Sequence, residues 1–177
     1  MKCLKWLRVE APAGTAPVVV FYSLLLLGLV DLIARLAITS LHITFTDQNL
    51  ARNTQWASSF PHSVFGFLGL LAALVYYALA EEVPIRFIPL TLVTRFWPIP
   101  TAVIATSILS SAVFGYLHGG AVYILLRGIP GLIYCGVFLK CGGWSRRPFK
   151  ALLFTTLAHF SHNALVATPI FWGWRTM

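Results

Sequence analysis

The chain has 177 residues, 58% of them apolar and only 10% charged, with a net charge of +8 from 13 basic and 5 acidic residues. A soluble domain devotes roughly 25% of its residues to charge. The composition therefore excludes a soluble globular protein, a disordered chain and a nucleic-acid binder built on exposed basic surface. A mean hydropathy of +0.81 predicts instead one membrane domain over 1–177: an all-α polytopic transmembrane helix bundle of about five spans, with lipid against its outer surface.

In chain order, Lys2, Lys5 and Arg8 precede an apolar run from about Pro17 to Ile38. The run continues past Asp31 and Arg35 with no small-residue cleavage site after it, so it predicts a retained helix. Asp31 and Arg35 are four residues apart, share a helix face, and are expected to pair or to face the bundle interior. Residues 42–62, with Asp47 and Arg52, predict an aqueous loop. A second helix is predicted from about Ser63 through Leu79 to Glu81 and Glu82, with Pro84 as a kink point. Residues 87–100 are apolar but broken by Pro89, Pro98 and Pro100, which suggests a helix end followed by a re-entrant or interfacial piece.

A third helix is predicted from about Thr101 to His118, ended by Gly119-Gly120. A fourth covers Ala121 to Leu139, a basic loop covers 140–150, and a fifth helix runs from about Ala151 to Phe171. Cys3, Cys135 and Cys141 form no CxxC motif and are read as structural. Trp97, Trp144, Trp172 and Trp174 are expected at membrane interfaces. Lys and Arg collect at the N-terminus, in 86–95 and in 140–150. Five spans with the N-terminus in the cytoplasm satisfy that bias.

Two of the five acidic residues, Glu81 and Glu82, are adjacent at the end of an apolar helix. Carboxylates at membrane depth are costly unless they are neutralised or held by donors. Arg86 is one turn beyond Glu82 and can pair with it, which leaves Glu81 about 100° round the helix for another task. His118 lies four residues after Phe114, and His159 and Asn163 are likewise four apart, with His162 between them. A lone histidine in an apolar helix is more often a satisfied core residue than a catalyst. Here several costly polar groups accompany a carboxylate pair. A carboxylate and an imidazole can share a water and take its proton, while a second histidine and an amide donate to an oxyanion. Zinc held by Glu81, His118 and His159 is an alternative, although HExxH is absent.

Glu81-Glu82-x-x-x-Arg86, Phe114-x-x-x-His118 and His159-x-x-x-Asn163, in that order over about 63–170, resemble the CPBP family of intramembrane CAAX proteases and bacteriocin-processing enzymes, also called ABI. The resemblance implies an all-helical membrane endopeptidase whose protease core is 63–170. By the same resemblance Glu81 and His118 would activate water, His159 and Asn163 would stabilise the oxyanion, and Glu82 and Arg86 would position the site. It implies no cofactor, although the family was long described as metal-dependent. The partners it implies are membrane lipids and a protein substrate with a membrane-associated or C-terminal sorting segment, with no nucleic acid. The compactness of the chain suggests a bacterial type in the inner membrane. Two other classes would share these residues. One is a non-catalytic immunity or binding protein. The other is a small transporter using the carboxylates as a proton relay.

Overall fold

The computed structural model describes residues 10–12, 14–40 and 55–173, and these are helical apart from turns and short connections. Lys2, Cys3, Lys5, Arg8, Asp47, Arg52 and Trp174 lie outside the described residues. Helix α1 is Ala16–Ser40 and α2 is Val64–Glu82; a π-helical turn, Val83–Phe87, leads into α3, Ile88–Phe96. Then follow α4 (Pro100–Leu117), α5 (Ala121–Leu126), α6 (Gly128–Phe138) and α7 (Pro148–Phe171). Four stretches are long and apolar enough to cross a membrane: Ala16–Ala37, Val64–Phe96, Pro100–Leu117 and Ala121–Gly143. Helix α7 has 24 residues, about 36 Å at 1.5 Å per residue, and supplies a fifth spanning length.

The segment 87–100 is not re-entrant. Residues 88–96 extend the second helix into one continuous 33-residue element from Val64 to Phe96. Pro84 cannot donate an N–H to the preceding turn, and its ring would press on a carbonyl there. The chain widens instead: the Ile88 N–H reaches back five residues to the Val83 carbonyl, and the helix resumes with Pro89 in its first turn. A π turn within an α-helix is often associated with a functional site, and this one begins directly after Glu82. The break comes only at Trp97–Ile99, after which Pro100 opens α4 with its φ already suited to a helix.

Three other boundaries differ from expectation. Residues 55–58 of the expected loop form a helical turn. Ala57 there is buried in a cluster with Leu70, Leu74 and Phe171, and Trp56 packs edge-on against Phe60 and Tyr77. The apolar members of that polar stretch thus dock on α2 and α7. The fourth run divides at Arg127 into α5 and α6 and continues past Leu139 to Gly142, whose φ of +136° ends it. Helix α7 begins at Pro148, three residues earlier than Ala151, with Pro148 in its first turn.

Small residues set the packing around the site. Ser107, Ser111 and Gly115 recur every four residues on α4 and are buried. A Cβ on Gly115 would lie 2.4 Å from the Tyr123 carbonyl oxygen, and one on Gly131 would lie 3.2 Å from the Ser111 Cα. Between membrane helices, where burial from water supplies no attraction, such close backbone approach provides the packing contact. At the other side of α6, Tyr134 and Val137 form a cluster with Leu27 of α1 and Ala158 of α7. The start of α1 is tied to the basic end of the bundle. The Ala11 N–H donates to the Lys140 carbonyl, and Glu10 accepts from Lys150 at 2.8 Å.

Candidate active site

Glu81 and Glu82 close α2 near the middle of the 33-residue helix, which is about 50 Å long. Adjacent positions on a helix point about 100° apart, and the two carboxylates meet different surroundings. Glu82 is fully buried together with Arg86, and its Oε1 accepts from Arg86 Nη1 and from His159 Nδ1, the latter at 2.8 Å. Glu81 is 37% exposed beside His118, itself 31% exposed. One carboxylate is therefore internal structure, and the other is partly exposed.

His118 caps the C-terminal end of α4, and its Nδ1 lies 2.7 Å from the Phe114 carbonyl oxygen. A carbonyl only accepts, so Nδ1 carries the proton and satisfies one of the helix-end carbonyls. In the neutral ring Nε2 is then the acceptor, and it stands 3.9 Å from Glu81 Oε2. Two acceptors at that separation are both within hydrogen-bond reach, about 2.8 Å, of one water oxygen. His159 Nε2 lies 3.6 Å from the same Glu81 oxygen. Helix α2, the end of α4 and α7 thus bring three side chains to one point, although His118 ends its helix and Glu81 is mid-helix. The reason is length: α4 has 18 residues, about 27 Å, and stops beside the middle of its longer neighbour.

Aromatic rings hold the internal half of the site. The Arg86 guanidinium lies 4.4 Å from the Phe114 ring centroid and 5.0 Å from that of Tyr134. A planar, weakly hydrated cation suits such faces, which matters because Arg86 Nε and Nη2 are buried without a hydrogen-bond partner among the described residues. Tyr134 also stacks on His159, with centroids 4.7 Å apart and 23° between the planes.

Five of the six predicted residues form one connected chain of contacts, Arg86–Glu82–His159–Glu81–His118. Asn163 lies one turn beyond His159 on the same face of α7 and forms no side-chain hydrogen bond among the described residues. Among the described residues, no three His, Cys, Asp or Glu side chains are grouped as a metal site requires. Sequence reasoning missed Tyr134, one of six tyrosines with nothing to mark it. Of the two outcomes expected for Asp31, pairing with Arg35 or facing the bundle interior, the structure shows the second: Asp31 Oδ2 pairs with His162 Nε2 at 2.8 Å. Asp31 and Arg35 do share a helix face, but across the bundle α7 presents a planar ring donor at contact distance.

No curated protein and no solved structure matches the chain. The family described as type II CAAX prenyl endopeptidase Rce1-like matches residues 62–165, well over half of the chain. That stretch holds all six predicted residues. The chain is an integral membrane peptidase and belongs to the Rce1-like family of type II CAAX prenyl endopeptidases.

Proposed function

We propose that the protein is an intramembrane endopeptidase that cuts near the C-terminal, membrane-associated end of a protein substrate, using water activated by Glu81 and His118. The observation that carries this reading is the convergence of Glu81 Oε2, His118 Nε2 and His159 Nε2, within 3.6 to 3.9 Å of the shared carboxylate oxygen. Water held between Glu81 and His118 gives its proton to the Glu81 carboxylate as its oxygen attacks the scissile carbonyl. Charge then develops on the carbonyl oxygen. His159 and the Asn163 amide donate to it. Donation from His159 Nε2 requires the imidazolium form, whose charge Glu82 Oε1 balances from the other ring nitrogen at 2.8 Å. Glu81 finally passes its proton to the departing amine, and the C–N bond breaks.

Zinc on Glu81, His118 and His159 is the competing version of the same chemistry by ligand type, although among the described residues these three are not grouped as a metal site requires. Full activity of purified protein without stoichiometric metal removes it. The basic N-terminus before α1 and the basic loop 140–150 after α6 support a reading with the N-terminus in the cytoplasm. The protease core is 63–170, with α1 packed against it.

The test compares the C-terminal peptides of membrane proteins by mass spectrometry in cells carrying the wild type or Glu81→Gln. Uncut C-terminal segments that accumulate in the variant establish proteolysis and identify the substrate. Identical termini at equal protein levels would overturn the reading in favour of a non-catalytic binding protein.

A further inference from the structure

We propose that Asp31, His162 and Tyr134 form a hydrogen-bonded relay, outside the predicted machinery, that positions the His159 ring. The inference rests on the peptidase reading for its kinetic consequence but not for its geometry. Asp31 sits sixteenth in the 25 residues of α1, at mid-span, and α1 lies wholly outside the stretch that matches the family. A carboxylate at that depth is costly unless it is held by a donor, and His162 Nε2 supplies one at 2.8 Å.

The donor directions follow from the chemistry of each group. The Asp31 carboxylate only accepts, so His162 Nε2 carries the proton. In the neutral ring Nδ1 is then an acceptor. Tyr134 Oη lies 2.9 Å from that nitrogen and donates to it. The tether at the hydroxyl fixes where the Tyr134 side chain points, and full burial against its neighbours holds the plane of the ring. One region of the ring lies flat against His159 and the ring also faces the Arg86 guanidinium. Those are the two groups that hold Glu82 Oε1. The relay thus reaches both partners of Glu82 from a helix that touches neither of them by a side-chain hydrogen bond. Tyr134, 1% exposed, carries the constraint from α1 and α7 to the site, and all three side chains act as positioning residues.

The test uses full-length protein in lipid nanodiscs, labelled with 15N-histidine. Nitrogen NMR of the wild type should show His162 protonated at Nε2. Asp31→Asn, whose amide can donate as well as accept, should shift the His162 nitrogens and, through Tyr134, those of His159. Tyr134→Phe keeps the stacked ring, removes the hydroxyl, and should shift His159 as well. His159 resonances unmoved in both variants would overturn the relay. The kinetic arm uses a quenched peptide ending in a prenylated Cys-aliphatic-aliphatic-X sequence. Both variants should lower kcat about tenfold with KM unchanged, because an outer partner of a reacting group affects its orientation rather than substrate binding. Thermal unfolding within a few degrees of wild type excludes loss of fold as the cause. Wild-type kcat in both variants would overturn the relay. A wild type that leaves the peptide intact counts against the peptidase reading, and the nitrogen spectra then decide the relay alone.

Discussion

Two adjacent glutamates divide the labour of the site, and substitution should separate them. Glu81 is partly exposed and holds no buried cation, so Glu81→Gln should reduce cleavage by more than about 100-fold while leaving thermal unfolding unchanged. Glu82 shares one oxygen between Arg86 and His159 in full burial. Glu82→Gln strands the Arg86 charge, and breaking a buried pair from one side costs about 3–5 kcal/mol. It should lower the unfolding temperature as well as the activity, measured in the same detergent. Arg86→Lys is not conservative either. A compact ammonium loses the planar contact with Phe114 and Tyr134, so stability should fall although the charge is kept.

At the level of elements, the site depends on where helices end and how closely they approach. The π turn after Glu82 lets two prolines sit in one continuous helix, which keeps Glu81 and Glu82 at mid-span rather than at a membrane surface. Helix α4 ends at the same height because it is short, and α5 and α6 return from there against its small-residue face. Gly115→Ala puts a Cβ 2.4 Å from the Tyr123 backbone oxygen, where no side chain can give way. Overpacking of this kind costs about 1–3 kcal/mol. The variant should unfold at lower temperature and lose cleavage through displacement of His118, three residues on. Gly136→Ala is the control, because a Cβ there meets nothing within 4 Å and should leave both readouts unchanged.

Across the whole molecule, the start of α1 is pinned to the basic end of the bundle by Glu10. Hydrogen bonds from Lys150 and Ser145 hold its carboxyl below the ordinary value of 4.5, with Arg147 3.8 Å away. A carboxyl whose folded pKa is depressed stabilises the fold fully above its unfolded value and loses that contribution as pH falls through the folded one. The wild type should therefore lose stability below about pH 4.5, from the ordinary carboxyl value downward. Glu10→Gln should show a smaller loss over the same window, read from thermal unfolding between pH 6 and pH 3. The contact is partly solvated, so added salt should weaken it. The same tether fixes α1 against α6 and α7, where Asp31 meets His162.

Composition alone was enough to place this chain in a membrane, because a surface this poor in charge cannot face water. The spacing of Glu82 and Arg86, and of His159 and Asn163, was equally legible, since residues four apart on a helix share a face wherever the helix lies. The order of the three motifs marked the family. Depth was legible only through the chemistry: for Glu81 and His118 to share one water the second helix had to continue past Arg86, and it does, as one element from Val64 to Phe96. Whether Pro84 ended the second helix depended on a π turn that local propensity does not encode, and on that turn rested whether Glu81 could reach His118. Asp31 shows the same limit more sharply. From sequence its nearest opposite charge was Arg35, one turn away on its own helix, but a side chain takes the best partner in space. That partner, His162, is 131 residues along the chain and comes into contact only when α1 packs against α7.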